Sequence, residues 1–160
     1  VFVEVGNGAL AVGVSYSETI STPTNTNQPG GDGDSTSTLT SQVSADFENY
    51  VQLYLLGRVP VDGILGGLYG KVGISEVDII INETQKSGNT YPDQETSGIV
   101  VALGYDKEIS EGLGLRLEIA GHELDSVTAN NGAAASGNRN TVTVSDMIGA
   151  TATLSVAKTF

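Results

Sequence analysis

The chain has no cysteine. A disulfide framework and a thiolate metal site are therefore both excluded. Basic side chains are scarce: seven Lys and Arg stand against nineteen Asp and Glu, for a net charge of −12. That balance leaves no basic stripe for phosphates, so no nucleic-acid partner is expected. Long apolar runs are missing too. The longest are short ones such as Ile99 to Leu103, far below the ~18 residues of a membrane-spanning helix. Helical periodicity is hard to find. His122 is the one histidine, and there is no HExxH pair, phosphate loop or nucleophile elbow. Nothing selects catalysis, and neither an enzyme nor a cofactor is expected. The first residues, Val-Phe-Val-Glu-Val, carry no charged leader and no small-residue cleavage site. They read as the inside of a strand, with a first strand and signal peptide missing.

What is abundant is alternation with a period of two. Leu10, Val12, Val14 and Tyr16 oppose Ala11, Gly13, Ser15 and Ser17. Val43, Ala45, Phe47, Val51, Leu53, Leu55 and Val59 oppose Ser44, Asp46, Glu48, Tyr50, Gln52, Tyr54, Leu56 and Arg58. Leu68, Gly70, Val72 and Ile74 oppose Tyr69, Lys71, Gly73 and Ser75. The phase then slips, which predicts a β-bulge near Ser75–Glu76 and turns Val77, Ile79 and Ile81 outward. Ile99, Val101, Leu103 and Tyr105 form the next apolar row, then Leu113, Leu115, Leu117 and Ile119. Ile148, Ala150, Ala152, Leu154, Val156 and Phe160 form the last. The opposite faces are rich in Gly, Ala, Ser and Thr, with charges of both signs. A narrow membrane barrel needs such an interior, leaving its apolar rows to lipid. The mean hydropathy of +0.00 fits alternating strands. Tyr16 and Tyr105 are candidate interface aromatics.

Short connections alternate with long ones. Gly6–Gly8, Pro60–Gly63 and Glu108–Gly112 are short; Thr19–Thr40, Asn82–Thr96 and Ala129–Asn140 are long and polar. Turns on one rim and loops on the other are the habit of outer-membrane barrels. The whole chain, 1–160, reads as one domain: an all-β, antiparallel, up-and-down transmembrane β-barrel. About seven strands are represented, and eight are expected when intact, because bacterial single-chain barrels have even strand numbers.

The C-terminal stretch from Ile148 to Phe160 resembles the terminal assembly signal of outer-membrane proteins, in which a final aromatic closes an alternating apolar row. Leu154, Val156 and Phe160 match it; Lys158 departs from it, and at a rim it would snorkel to head groups. Residues 1–9, Asp46-Phe47-Glu48, Leu68 to Gly73 with Asn82-Glu83, and Leu103 to Lys107 are similar to pieces of small barrels of the opacity and OmpA/OmpX type. They are most like those of marine alphaproteobacteria of the Pelagibacter kind. The resemblance implies an outer-membrane location in a Gram-negative bacterium, lipid as surroundings, and the barrel-assembly machinery as a partner through Phe160. Long acidic loops would serve surface ligands or phage.

The candidate site is an inward row of charges: Asp46, Glu48, Arg58, Lys71, Glu76, Asp78, Arg116, Glu118 and His122. It reads either as a channel or as ion pairs that plug the lumen. Eight strands leave an interior just filled by side chains, which favours the plug. The expected function is therefore structural or surface interaction. A small-solute pore and a secreted surface subunit completed by a donor strand are the alternatives. No metal site is expected. The Gly30 to Asp34 loop, with Asp32 and Asp34, is a single copy of a repeat that binds calcium only in stacked arrays.

Overall fold

The computed structural model describes residues 1–21, 26–29, 40–61, 63–84, 91–130 and 141–159. The strands are β1 (Phe2–Gly6), β2 (Leu10–Ser21), β3 (Thr26–Pro29), β4 (Thr40–Arg58), β5 (Leu68–Thr84), β6 (Gln94–Ser110), β7 (Leu113–Leu124), β8 (Val127–Asn130), β9 (Thr141–Val144) and β10 (Met147–Lys158). One 3-10 turn, Gly63–Gly67, joins β4 to β5. The fold is all-β, as the alternation predicts. The ladder runs β1-β2-β4-β5-β6-β7-β10, every neighbour antiparallel.

Three expectations need correction. The sheet does not close: β1 and β10 are its two edges and do not pair. The long connections are partly strand, since β3 continues alongside β4 and β8 pairs with β9 as a hairpin. The bulge lies in β4, not β5. The register between β4 and β5 shifts between Glu48 and Val51. There Asn49 has φ of 53°, a left-handed conformation in which asparagine is enriched. Its amide is tied on both sides, accepting from the Tyr16 hydroxyl at 2.8 Å and donating to Asp78 at 2.8 Å. β5 runs straight through Ser75–Glu76, so Val77, Ile79 and Ile81 are buried inside.

One end of the sheet has an apolar exterior. Val12 and Val14 lie opposite Leu55 and Leu53, which lie opposite Val72 and Ile74. Those in turn lie opposite Val101 and Ile99, and on the far side Leu117 and Leu115 lie opposite Leu154 and Val156. Cross-strand rows of β-branched and leucine side chains hold a pleated surface together. Here the whole row is exposed: Leu55 at 60 %, Leu103 at 73 % and Leu154 at 72 %.

Past Val51, Ile74 and Ile99 the polarity of both faces reverses. Outside stand Asp46, Glu48, Glu76, Asp78 and Glu95. Inside, Ile79, Ile81, Tyr91, Val127 and Ala129 make a buried cluster, with Ala45, Phe47 and the hairpin's Val142 and Val144 packed on it. Tyr50, Val77 and Leu124 extend it toward the middle.

The interior is packed by tyrosines laid over glycines. A side chain at Gly104 would overlap the Tyr69 ring, and one at Gly13 the Tyr54 ring. A Gly104→Val variant should lose about 1–3 kcal/mol by overpacking, read from denaturant midpoints, because Tyr69 would have to leave its carboxylate partner.

Candidate functional site

The polar interior is built from inward positions of β1, β4, β5, β6, β7 and β10. Alternation in Val1 to Val5 exposes the valines and turns Phe2 and Glu4 inward. Arg116 of β7 is buried, with 5 % exposure. Its guanidinium forks onto Glu4, Nη1 to Oε1 at 2.6 Å and Nη2 to Oε2 at 2.9 Å. Its Nε donates to Asp106 of β6 at 2.6 Å. Arg58 of β4 reaches the same two carboxylates at 3.2 Å each. The Tyr54 hydroxyl donates to Glu4 at 2.9 Å. Fork geometry makes such pairs strong and directional. The Arg116 plane also lies 4.5 Å from the Phe2 ring centre and 4.9 Å from that of Tyr69. The first strand is thereby fastened across the interior to the strand beside the last, which curls the sheet.

A second tier lies above the first. Lys71 of β5 pairs with Glu118 of β7 and donates to Gln52 at 3.1 Å. The Tyr69 hydroxyl donates to Glu118 at 2.7 Å. Above that, His122 stands between the Tyr50 hydroxyl (2.6 Å from Nδ1) and the Thr151 hydroxyl (2.9 Å from Nε2). The three interior cations, Arg58, Lys71 and Arg116, face three anions, Glu4, Asp106 and Glu118. Among the described residues the interior charges therefore balance.

Of the expected lumen residues, Lys71, Arg116, Glu118, His122 and Arg58 point inward. Asp46, Glu48, Glu76 and Asp78 do not. Asp46 accepts from Asn82 at 2.7 Å on the outer face, and Glu48 lies opposite Asp78 there. The bulge at Asn49 changes the parity of β4, and the straight course of β5 keeps Glu76 and Asp78 outside. A hydrogen bond to the Glu76 carboxyl, and then that group's charge, raises the pKa of exposed Glu95. The acids of this outer face crowd one another.

Glu4, Asp106, Tyr54, Tyr69 and Gln52 complete the network and were not singled out from the sequence. Parity alone places each of them inward, but nothing in the sequence says which inward groups meet. Leu154 and Val156 lie on the exposed apolar face opposite Leu117 and Leu115. Phe160, Asp32 and Asp34 lie outside the described residues. Among the described residues no three metal-ligating side chains gather, and no helix is long and apolar enough to cross a membrane, which does not bear on strands.

The chain matches no family model, no curated protein and no solved structure.

Proposed function

We propose that the chain is a non-enzymatic β-barrel protein of a Gram-negative outer membrane. In this reading a lipid-embedded sheet with a plugged polar interior carries long acidic extracellular connections for a structural or surface-interaction role. The observation that carries the proposal is the reversal of polarity along single continuous strands. β5 presents Leu68, Val72 and Ile74 outward, then Glu76 and Asp78; inward it presents Lys71 and Ser75, then Val77 and Ile79. A strand wholly in water gains nothing by showing its apolar side to solvent for half its length. A strand that leaves hydrocarbon for water must make this exchange.

The dimensions fit. At ~3.4 Å per residue, Ile148 to Val156 covers ~27 Å along the strand. A ~40° tilt reduces that to ~20 Å of height, near the ~25 Å apolar band of such barrels. Tyr16 stands at the border with the acidic zone and Tyr105 near the short-turn rim, where interfacial aromatics belong. Lys107 and Lys158 follow on that rim. Lipid is then the partner of the apolar band. The row Leu154, Val156 and Phe160 is the segment offered to the assembly machinery, and the acidic rim meets surface ligands. The architecture proposed is that of the opacity and OmpA/OmpX type, an up-and-down antiparallel barrel.

The interior argues against a pore. Tyr54, Tyr69, Lys71, Arg116 and Glu118 fill it, and the apolar cluster around Ile79 caps it. The unpaired edges are the one feature that favours the other reading, a secreted subunit completed by a donor strand. Detergent decides. The folded chain is expected to need micelles or vesicles and to migrate differently on gels before and after boiling. Monomeric folding in plain buffer would sink the membrane reading, and regular conductance steps in planar bilayers would restore the pore.

A further inference from the structure

The lower border of the apolar band is drawn differently along the sheet. On β6 and β10 the outward row ends in lysines, Lys107 opposite Leu115 and Lys158 opposite Leu113. On β4 and β5 no outward charge marks it: Leu55, Gly57 and Val59 lead into the connection, and Leu68 leads out of it. The connection is itself apolar. From Val59 to Gly67 it reads Val-Pro-Val-Asp-Gly-Ile-Leu-Gly-Gly, with Asp62 as its one charge. The other two connections on this rim are Asn7-Gly8-Ala9 and Glu111-Gly112, and neither carries a large apolar side chain.

The fold of this connection keeps its side chains outside. The Val59 N–H donates to the Leu68 carbonyl at 2.9 Å, and the Val61 N–H to the Val59 carbonyl at 2.9 Å. The 3-10 turn Gly63–Gly67 then packs backbone against backbone. A side chain at Gly66 would run into the Val61 carbonyl, and one at Gly67 into the Asp106 carbonyl of β6. With that space taken, Val61 and Leu65 stand outward, 47 % and 55 % exposed. Val59 and Leu68 at the two ends are exposed as well. The apolar surface of β5 thus continues into the turn without a polar break.

The height of the band leaves room for it. On β5 the outward apolar row runs from Leu68 to Ile74, ~20 Å along the strand at ~3.4 Å per residue. A ~40° tilt makes that ~16 Å of height, ~9 Å less than the ~25 Å apolar band of membrane barrels. Val61 and Leu65 lie past Leu68, on the side where the shortfall falls. Hydrocarbon would not accept a turn, because its free backbone groups would find no partners. The interfacial layer supplies water and head groups, and there apolar side chains sink ~5–10 Å toward the acyl chains.

We infer that the β4–β5 connection is a lipid anchor, with Val61 and Leu65 seated in the interfacial layer of the leaflet on the short-turn side. The Glu111-Gly112 turn beside it stays in water. This rests on the membrane-barrel reading, which supplies the bilayer.

The chain lacks cysteine, so single variants take one label each. Val61→Cys, Leu65→Cys, Leu103→Cys and Glu111→Cys are tagged with an environment-sensitive fluorophore and folded at low density into phosphatidylcholine vesicles. One quencher is a lipid with a nitroxide near the head of its acyl chain. The other is iodide on both sides of the membrane. Leu103→Cys reports the apolar band and Glu111→Cys the aqueous rim. The labels at Val61 and Leu65 should be quenched several-fold more by the nitroxide lipid, and several-fold less by iodide, than the label at Glu111. All four variants should keep the heat-shifted gel band, since each replaced side chain is exposed.

Iodide quenching at Val61 and Leu65 equal to that at Glu111 would overturn the inference; with Leu103 still quenched by lipid, the membrane reading would stand. Shielding from iodide without lipid quenching would mean that protein covers the turn, a second copy in these vesicles, and would also overturn it. Failure of Leu65→Cys alone to fold would do the same, because the side chain would then be packed within the chain. A Leu103 label untouched by the lipid quencher would refute the spanning sheet. Lipid quenching at Leu65 in that case would still uphold the anchor, on a chain lying at the membrane surface.

Discussion

Replacing Arg116 with methionine should cost the fold about 3–5 kcal/mol, the usual penalty for leaving a buried carboxylate without its cation. Arg116 is the hub of the lower tier, forked onto Glu4 and bonded to Asp106. Methionine keeps an apolar stem against Phe2 and Tyr69, so the loss would report charge more than volume. Arg58 cannot take over fully, because it is already shared between the same two carboxylates at 3.2 Å and is more exposed. Equilibrium unfolding in detergent gives the number, and the fraction of heat-resistant band gives a second readout. Adding Glu4→Gln to the same chain should recover most of it, since the one carboxylate left in excess becomes a neutral amide while Arg58 keeps Asp106. Wild-type stability for Arg116→Met alone would mean that the side chain sits in water, and the interior described above would be wrong.

Leu103→Arg tests the other face. Leu103 lies on β6, 73 % exposed, opposite Gly70 and Ile119 on the neighbouring strands. If that face meets hydrocarbon near its middle, arginine should cost about 2–4 kcal/mol. If it meets water, the change should stay within about 0.5 kcal/mol, as surface substitutions usually do. Glu76→Arg, on the outer face of β5 above the reversal, is the internal control and should stay within about 0.5 kcal/mol in either case. Reversible unfolding from phospholipid vesicles supplies all three values. A Leu103→Arg penalty no greater than that of Glu76→Arg would remove the lipid band, and with it the proposed location.

The two strands misread from the sequence explain each other. In β4 the odd positions are apolar from Val43 to Val59 save Asn49 and Gly57, so the segment reads as one continuous alternation. The bulge at Asn49 flips the parity just where the environment flips the preference. Ala45 and Phe47 thus face inward while Val51, Leu53 and Leu55 face outward, and the two reversals cancel in the pattern. In β5 no residue is inserted. The reversal of environment then appears as a slip between Ile74 and Val77, which imitates a bulge. A period-two reading records only parity times preference, and it cannot separate a change in one from a change in the other.

The lower tier was hidden for a related reason. Glu4 and Arg116 are 112 residues apart, and no local pattern pairs them. Their meeting follows from the curl of the sheet, which depends on every register between them. The rows that face outward in the apolar zone needed no such information, because each strand declares them within a few residues.

Composition and alternation alone determined that this chain forms long antiparallel strands with short turns at one rim, and that Leu53, Leu55, Leu115, Leu117 and Leu154 share the side opposite Lys71, Arg116 and Glu118. These are properties of single segments, set by the pleat that sends neighbouring side chains to opposite faces. Only the assembled sheet decided where the bulge falls, which carboxylates meet which cations, that Asp46 and Glu48 leave the interior, and that β1 and β10 remain apart. Each of those depends on the summed registers and curvature of many strands, a long-range quantity that no stretch of sequence carries by itself.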